Sequence, residues 1–300
     1  MNIFELTKKI GTPQKAINFF EVVRWQKKVT CVYCKSTRVC AHREENKKRW
    51  QCWNCKKSFS VTQGTIFHNT KLPLNKWFML IALMLNAKKG LSACQAARDL
   101  GIRRPTVWSM MHRIRNAMET NEAELLKGIV EMDETYVGGK PRKEAKKDDE
   151  DDNKPKRGRG TSKTPVVGMV ERDGNVKTAV ASKYELKSKD LMALVRKHVD
   201  VNETILVTDE YKGYLGMKNI IAHLSINHQK SYAEGDVHTN TIESFWAILK
   251  RGIIGQFHKV STKYLQSYLY EFEYRYNRRK LKNAVTFEHL LGRMCYGRSN

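Results

Sequence analysis

The chain has 300 residues, enough for about two domains or for one domain with small modules. Lys and Arg number 55 against 31 Asp and Glu, giving a net charge of +24 and a pI near 9.8, which points to a polyanionic partner, nucleic acid before membrane. The most apolar run, Trp77 to Leu85, is too short to span a bilayer and no cleavable signal opens the chain, so no membrane association and a cytoplasmic location are expected.

Residues 1–70 read as a small metal module. Leu6 to Phe20 has the pattern of an amphipathic helix, with Thr12-Pro13 as a start signal for its second half. Five of the seven cysteines fall between Cys31 and Cys55, a clustering that favours metal over disulfides. Cys31-Val-Tyr-Cys34 and Cys52-Trp-Asn-Cys55 are two knuckles with 17 residues between them, the spacing of a four-cysteine zinc ribbon. Each knuckle offers two thiolates at adjacent corners of a tetrahedron. All four positions would be filled by protein, so the zinc is expected to be structural. Arg49-Trp50-Gln51 and Ser58-Phe59-Ser60 look like the ribbon's strands, and Cys40 and His42 are surplus candidates in the loop between the knuckles. Lysines and arginines surround the ribbon, Lys27, Lys47 and Lys57 among them, and would meet DNA phosphates.

Residues 71–125 read as a helical DNA-binding module. Leu74 to Asn86 is a predicted helix, Ser92 caps a second from Ala93 to Leu100, and Gly101-Ile102 makes a tight turn. Arg103-Arg104-Pro105-Thr106 then opens a third helix that runs on through Met118. A short helix, a glycine turn and a helix with a basic start is helix-turn-helix order, which makes Arg103, Arg104 and Thr106 candidates for base or phosphate contacts. A helical linker bundle without DNA contact is the alternative.

Residues 126–300 carry acids in a strand and helix pattern. Gly128 to Met132 is a short apolar strand running into Asp133, and Thr204 to Thr208 another running into Asp209. Between them lie a charged insertion, 140–163, read as a mobile loop; strands Thr164–Glu171 and Lys177–Ser182 around the turn Asp173-Gly174-Asn175; and a helix from Ser188 to His198. Three antiparallel strands, a helix, a strand and further helices is the order of an α/β, ribonuclease H-like core. Val237 to Phe257 is expected to be a helix with Asn240, Glu243 and Lys250 on one stripe. Two strand-end aspartates and a helix carboxylate, with 33 residues between Asp209 and Glu243, suit two-metal phosphoryl transfer. Glu134 and Glu210, next to the proposed ligands, would point to opposite faces, and His238 and His258 flank the helix. The helix from Ser261 to Lys280 is rich in Tyr and Phe and ends in Arg275, Arg278 and Arg279; its aromatic stripe is expected to be core.

The ribbon, Met132-Asp-Glu-Thr-Tyr-Val-Gly-Gly139, Thr208-Asp-Glu-Tyr-Lys-Gly-Tyr214 and His238-Thr-Asn-Thr-Ile-Glu-Ser-Phe-Trp-Ala-Ile-Leu-Lys250-Arg-Gly resemble the ISXO2-like insertion-sequence transposases, relatives of the Merlin transposases. The likeness runs from about residue 15 to 290 and includes the Tyr268 to Asn277 helix. It implies a DDE-type recombinase in a bacterial cell that cuts double-stranded DNA at terminal inverted repeats and joins the freed 3′ ends to target DNA, working as a homo-oligomer. Mg²⁺ or Mn²⁺ would be held by Asp133, Asp209 and a residue of the late helix. In this family the third position is sometimes Asn, with Lys further along. Both Asn240 and Glu243 are present, so the pattern leaves the choice open; a carboxylate is the better ligand for Mg²⁺, which favours Glu243. Lys250 would contact a phosphate or the developing charge, with Arg251 beside it as a further DNA contact. A silenced DNA-binding descendant and a related-fold nuclease that does not transfer strands are the rival readings.

Overall fold

The computed structural model describes residues 3–44, 47–119, 125–138, 161, 163–182, 186–226 and 237–296, without the side chains of 3 and 42–48. The chain divides into two compact units, one of Met1–Met118 with Lys280–Asn300, the other Glu119–Arg279. This differs from the three segments expected from sequence. The ribbon and the helical module belong to one unit, and the last residues join them instead of extending the 126–300 segment.

In the first unit, α1 (Ile3–Ile10) and α2 (Pro13–Trp25) replace the expected single helix. The chain breaks at Gly11-Thr12 because Pro13 has no N–H to continue a helix but fits its first turn, where the Thr12 hydroxyl accepts from Lys15 N at 3.3 Å. The ribbon follows as an antiparallel sheet of β1 (Val39–Glu44), β2 (Lys47–Cys52) and β3 (Ser58–Phe59). Then come α3 (Leu74–Asn86), α4 (Ala93–Leu100) and α5 (Arg104–Ala117). Ser92 accepts from Gln95 N, and Gly101 closes α4 at φ 61°, a left-handed conformation that glycine adopts without a Cβ penalty. The C-terminal helix Asn283–Met294 completes this unit: Phe287 meets Phe78 edge-on at 6.3 Å and stacks on Phe19 at 6.4 Å. Phe78 also meets Phe20 and Phe67, so this helix seals an aromatic core laid down by α2, Phe67 and α3.

The second unit is built on β4 (Leu126–Val137), β5 (Thr164–Glu171), β6 (Val176–Val180), β7 (Val199–Asp209) and β8 (Ala222–Ile226), in the order β6-β5-β4-β7-β8. β4, β5 and β6 pair antiparallel, while β4, β7 and β8 pair parallel. An antiparallel three-strand meander joined through a crossover helix to parallel strands is ribonuclease H-like topology. That crossover helix is α6 (Ser188–His198), with Lys187 at its cap position.

One sheet face, with Val130, Met132, Val167, Met169 and Leu206, packs on Leu191 and Val195 of α6. The other, with Val137, Val166, Val170 and Val176, packs on α7 (Asn240–Gly252) and α8 (Thr262–Asn277) through Ile242, Phe245, Trp246, Leu249, Leu269 and Phe272. α7 starts three residues later than expected and gives way after Gly252 to a π-helical turn, Ile253–Phe257. β4 runs on to Val137, so Asp133 lies within its strand and not at its end: Thr135 and Val137 keep alternating inward and carry the strand forward. Most of the charged insertion, 140–160 and 162, lies outside the described residues.

Three side chains of α8 cover the outer edge of β6. Asn277 bonds both Val176 N (2.7 Å) and Val176 O (3.0 Å), Glu273 accepts from Thr178 N (3.1 Å), and Gln266 accepts from Val180 N (2.9 Å). The edge strand's backbone is thereby satisfied by a helix in place of another strand.

Candidate active site and zinc site

The parallel register of β4 and β7 pairs Glu131 with Val207. Carried two residues on, it sets Asp133 beside Asp209 on the sheet face that α7 covers. Their closeness is electrostatic as well as geometric: burial, then the charges of Glu134 and Asp209, push the Asp133 carboxyl from its ordinary 3.8 up to about 7. Asp209 Oδ1 accepts from Tyr211 N at 3.0 Å, which turns the chain directly after the strand. Glu134 points to the other face, where it accepts from the buried Tyr214 hydroxyl at 2.7 Å. Two carboxylates that repel each other in a half-buried setting are relieved by a divalent cation, and oxygen donors of this kind suit Mg²⁺ or Mn²⁺.

α7 is amphipathic at this place. Ile242, Phe245, Trp246 and Leu249 are buried, while Asn240, Glu243, Lys250 and Arg251 are exposed. Glu243 Oε1 accepts from the Thr239 hydroxyl at 3.3 Å. Asp133, Asp209 and Glu243 do not draw together into a set of metal-sized span; among the described residues the single such set of three or more His, Cys, Asp or Glu is the cysteine group. Asn240 is the first residue of the helix, and Lys250 and Arg251 are in its last turn.

Sequence reasoning overlooked the contacts that tie α7 to β4. Trp246 Nε1 donates to Asp133 Oδ2 at 3.0 Å. The indole has room because Gly168 stands opposite Asp133 on β5: a Cβ there would lie 2.5 Å from Trp246 Cη2 and 3.0 Å from Ile242 Cδ1. Gly168→Ala is therefore expected to cost about 1–3 kcal/mol through overpacking. Urea unfolding measures this, and unchanged stability would show the indole to be loosely held. Glu131 is the second tie: it shares a strand face with Asp133, is fully buried, and bonds the start of α7. The signal available in the sequence was its i, i+2 spacing from Asp133 within an apolar strand.

In the ribbon, the four Sγ atoms of Cys31, Cys34, Cys52 and Cys55 lie within 4.8 Å of one another, with Cys31–Cys55 and Cys34–Cys52 at 3.6 Å. Each knuckle is followed by a residue in left-handed conformation, Lys35 (φ 60°) and Lys56 (φ 58°), so the two halves turn alike. The backbone N–H of Cys55, then that of Asn54, helps pull the Cys52 thiol down to about 6, toward the thiolate that metal requires. Four gathered thiols fit structural zinc. Cys40 sits in β1 opposite Gln51, outside this group, and the His42 side chain lies outside the described residues.

In the helical module, Arg103, Arg104 and Thr106 are all exposed at the start of α5, whose buried side is formed by Val107, Met110, Met111 and Ile114. No helix among the described residues is long and apolar enough to cross a membrane.

Residues 125–277 match the model of the ISXO2-like transposase domain. The chain belongs to that transposase family. The matched stretch coincides closely with the second unit and contains Asp133, Asp209, Asn240, Glu243 and Lys250. Over 277 residues the transposase is 27% identical to an uncharacterized protein in transposable element ISH50 of Halobacterium salinarum, covering 89% of this chain and 92% of that one. An uncharacterized transposase-like protein of Haemophilus influenzae is 28% identical over 102 residues, 34% of this chain and 81% of that one. Among solved structures, the Mos1 transposase paired-end complex with left transposon end is similar at 14% identity and a TM-score of 0.31, over 71% of this chain and 77% of that chain. At that score the likeness adds nothing to the strand order.

Proposed function

We propose that this transposase binds the terminal inverted repeats of an insertion sequence and carries out metal-dependent cleavage and strand transfer on double-stranded DNA. The observation that carries the reading is the juxtaposition of Asp133 and Asp209 on adjacent parallel strands, where burial and the neighbouring charges of Glu134 and Asp209 make the Asp133 carboxylate costly to ionise. Asp133 and Asp209 would hold Mg²⁺ or Mn²⁺, and α7 would supply a third ligand through Glu243 or, one turn earlier, Asn240. When bound, the ions activate the attacking water or 3′-hydroxyl and stabilise the leaving oxygen. Trp246 holds Asp133 Oδ2 and so fixes the rotation of the carboxylate that would meet a cation. Lys250 and Arg251, exposed in the last turn of α7, would meet DNA phosphates.

The first unit supplies recognition in this reading. A zinc-bound ribbon with lysines around it and the exposed Arg103, Arg104 and Thr106 would grip the DNA end, and the net charge of +24 favours a polyanion throughout. Both ends must be cut and joined together, so the active form would be a homo-oligomer on DNA in the bacterial cytoplasm.

The test is joining of a labelled duplex bearing the element's own terminal repeat to target DNA, with Mg²⁺ or Mn²⁺. Wild-type protein should give joined product, and Asp209→Ala should lose it by at least about 1000-fold, the scale of ~4 kcal/mol in the barrier. Loss with Glu243→Ala and survival with Asn240→Ala identifies Glu243 as third ligand, and the opposite pattern identifies Asn240. Hydrolysis without joining would replace this reading by that of a nuclease, and tight end binding without cleavage by that of a silenced DNA-binding protein.

A further inference from the structure

α7 begins without a cap from its own flank: Thr239, at the cap position, makes no side-chain bond to the first-turn N–H groups. A helix start must satisfy those groups somehow. Here the carboxylate of Glu131, 110 residues earlier in the chain, takes the role. Its Oε2 accepts from Thr241 N at 2.8 Å and Ile242 N at 3.0 Å, and its Oε1 accepts from the Thr241 hydroxyl at 2.9 Å. Arg172 neutralises it, donating from Nε to Oε1 at 2.8 Å, and reaches on with Nη2 to the His238 carbonyl at 3.0 Å. His238 Nδ1 lies 3.3 Å from the same Oε1. The chain leading into α7 and its first turn are thus fastened to one buried carboxylate of β4.

That carboxylate stands two residues before Asp133 on the same strand face, and its helix partners lie between Asn240 and Glu243. We propose that Glu131, with Arg172 as its counter-charge, is a positioning residue that sets the spacing between Asp133 and the metal-ligating turn of α7. The assignment rests on the metal-dependent chemistry proposed above. A strand carboxylate on two helix N–H groups fixes both the height and the rotation of the helix. The charge also suits the positive end of the helix dipole. Glutamine at 131 keeps the shape but offers one acceptor oxygen where the carboxylate offers two, and lysine at 172 keeps a charge but cannot bridge Glu131 and the His238 carbonyl with a planar fork.

The experiment compares wild type, Glu131→Gln, Arg172→Lys, Asp133→Asn and Asp209→Asn, each zinc-loaded. Mn²⁺ affinity is read from the EPR signal of the free ion, and the Mg²⁺ concentration giving half-maximal strand transfer is measured separately. The expected result is that folded Glu131→Gln and Arg172→Lys bind Mn²⁺ about 10–100-fold more weakly, the scale for supports of a metal ligand, with a parallel rise in the Mg²⁺ requirement. Wild-type Mn²⁺ affinity and Mg²⁺ requirement in a folded Glu131→Gln would overturn the proposal, whatever its effect on stability. Should Glu131→Gln not fold, Arg172→Lys decides by the same criterion. Full strand transfer by Asp133→Asn and Asp209→Asn would instead remove the metal-site reading itself.

Discussion

Asp133→Asn is expected to reduce DNA joining by at least about 1000-fold and yet to make the metal-free protein more stable at pH 8. The Asp133 carboxyl is lifted from 3.8 to about 7 by burial and by the charges of Glu134 and Asp209. Between roughly pH 4 and 7 the folded protein therefore holds a proton that the unfolded chain has released. Its stability falls as pH rises through that window, and above pH 7 the full penalty of an ionised, crowded carboxylate remains. Asparagine preserves an oxygen for the Trp246 indole but carries no charge. The gain should be absent below pH 4, grow through the window and level off on the order of 4 kcal/mol above it. Urea unfolding of zinc-loaded, magnesium-free protein at pH 4 and pH 8 measures it, without a chelator that would strip the ribbon. Mg²⁺ should stabilise wild type and leave the variant unmoved. Equal wild-type and variant stability at pH 8 would mean that the acids do not oppose each other.

Removal of zinc is expected to unfold the ribbon while leaving the Glu119–Arg279 unit intact. The ribbon's interior consists of Cys31, Cys52 and Phe59 with partly buried flanks such as Val29, Val39, Trp25 and Trp50, too little apolar surface to hold so small a sheet alone. Metal binding on the order of 10 kcal/mol would supply what the core lacks. Trp25 packs edge-on against Trp50 at 6.2 Å, and Trp50 Nε1 donates to Glu21 at 2.8 Å, so the ribbon's loss should alter tryptophan fluorescence. Cys31→Ser should reproduce the effect and weaken binding of DNA ends. Hydrogen exchange in β4 and β5 should not change. An unaltered fluorescence spectrum on full zinc release would show a ribbon that stands without metal.

What could be read from the sequence was what local chemistry decides. Ser92 and Gly101 bound α4 because an acceptor hydroxyl and a left-handed residue act on their immediate neighbours. The cysteine knuckles carry their geometry in their spacing. The ribonuclease H-like order followed from the succession of strands and helices. Contacts reaching across the chain were not legible. Glu131 reads as an ordinary acid in a strand until Thr241 and Ile242 arrive 110 residues later to be capped. β8, with only Ala222 to Ile226, has no pattern strong enough to announce a strand, and the place of Asn283–Met294 depends on aromatic partners near the other end of the chain. Within the site, spacing found the Asp133 and Asp209 strands, but Trp246 and Gly168 meet only through pairing of β4 with β5 and packing of α7 on both.

The cover that α8 lays over β6 has a consequence for how the protein is made. Val180 and its partner Gln266 are 86 residues apart, and Val176 and Asn277 are 101 apart. At a ribosomal pace of about 5–20 residues per second, the β5–β6 hairpin waits roughly 5–20 s with its outer backbone bare. During that interval it is a template for pairing with a neighbouring nascent chain. The first unit waits longer still, for the helix Asn283–Met294. Both units are thus closed only once the segment from Thr262 to Met294 has been made, and a chain halted before residue 262 would leave the ribosome with a sticky sheet edge and an open aromatic core, a substrate for chaperones and proteases in place of a working enzyme.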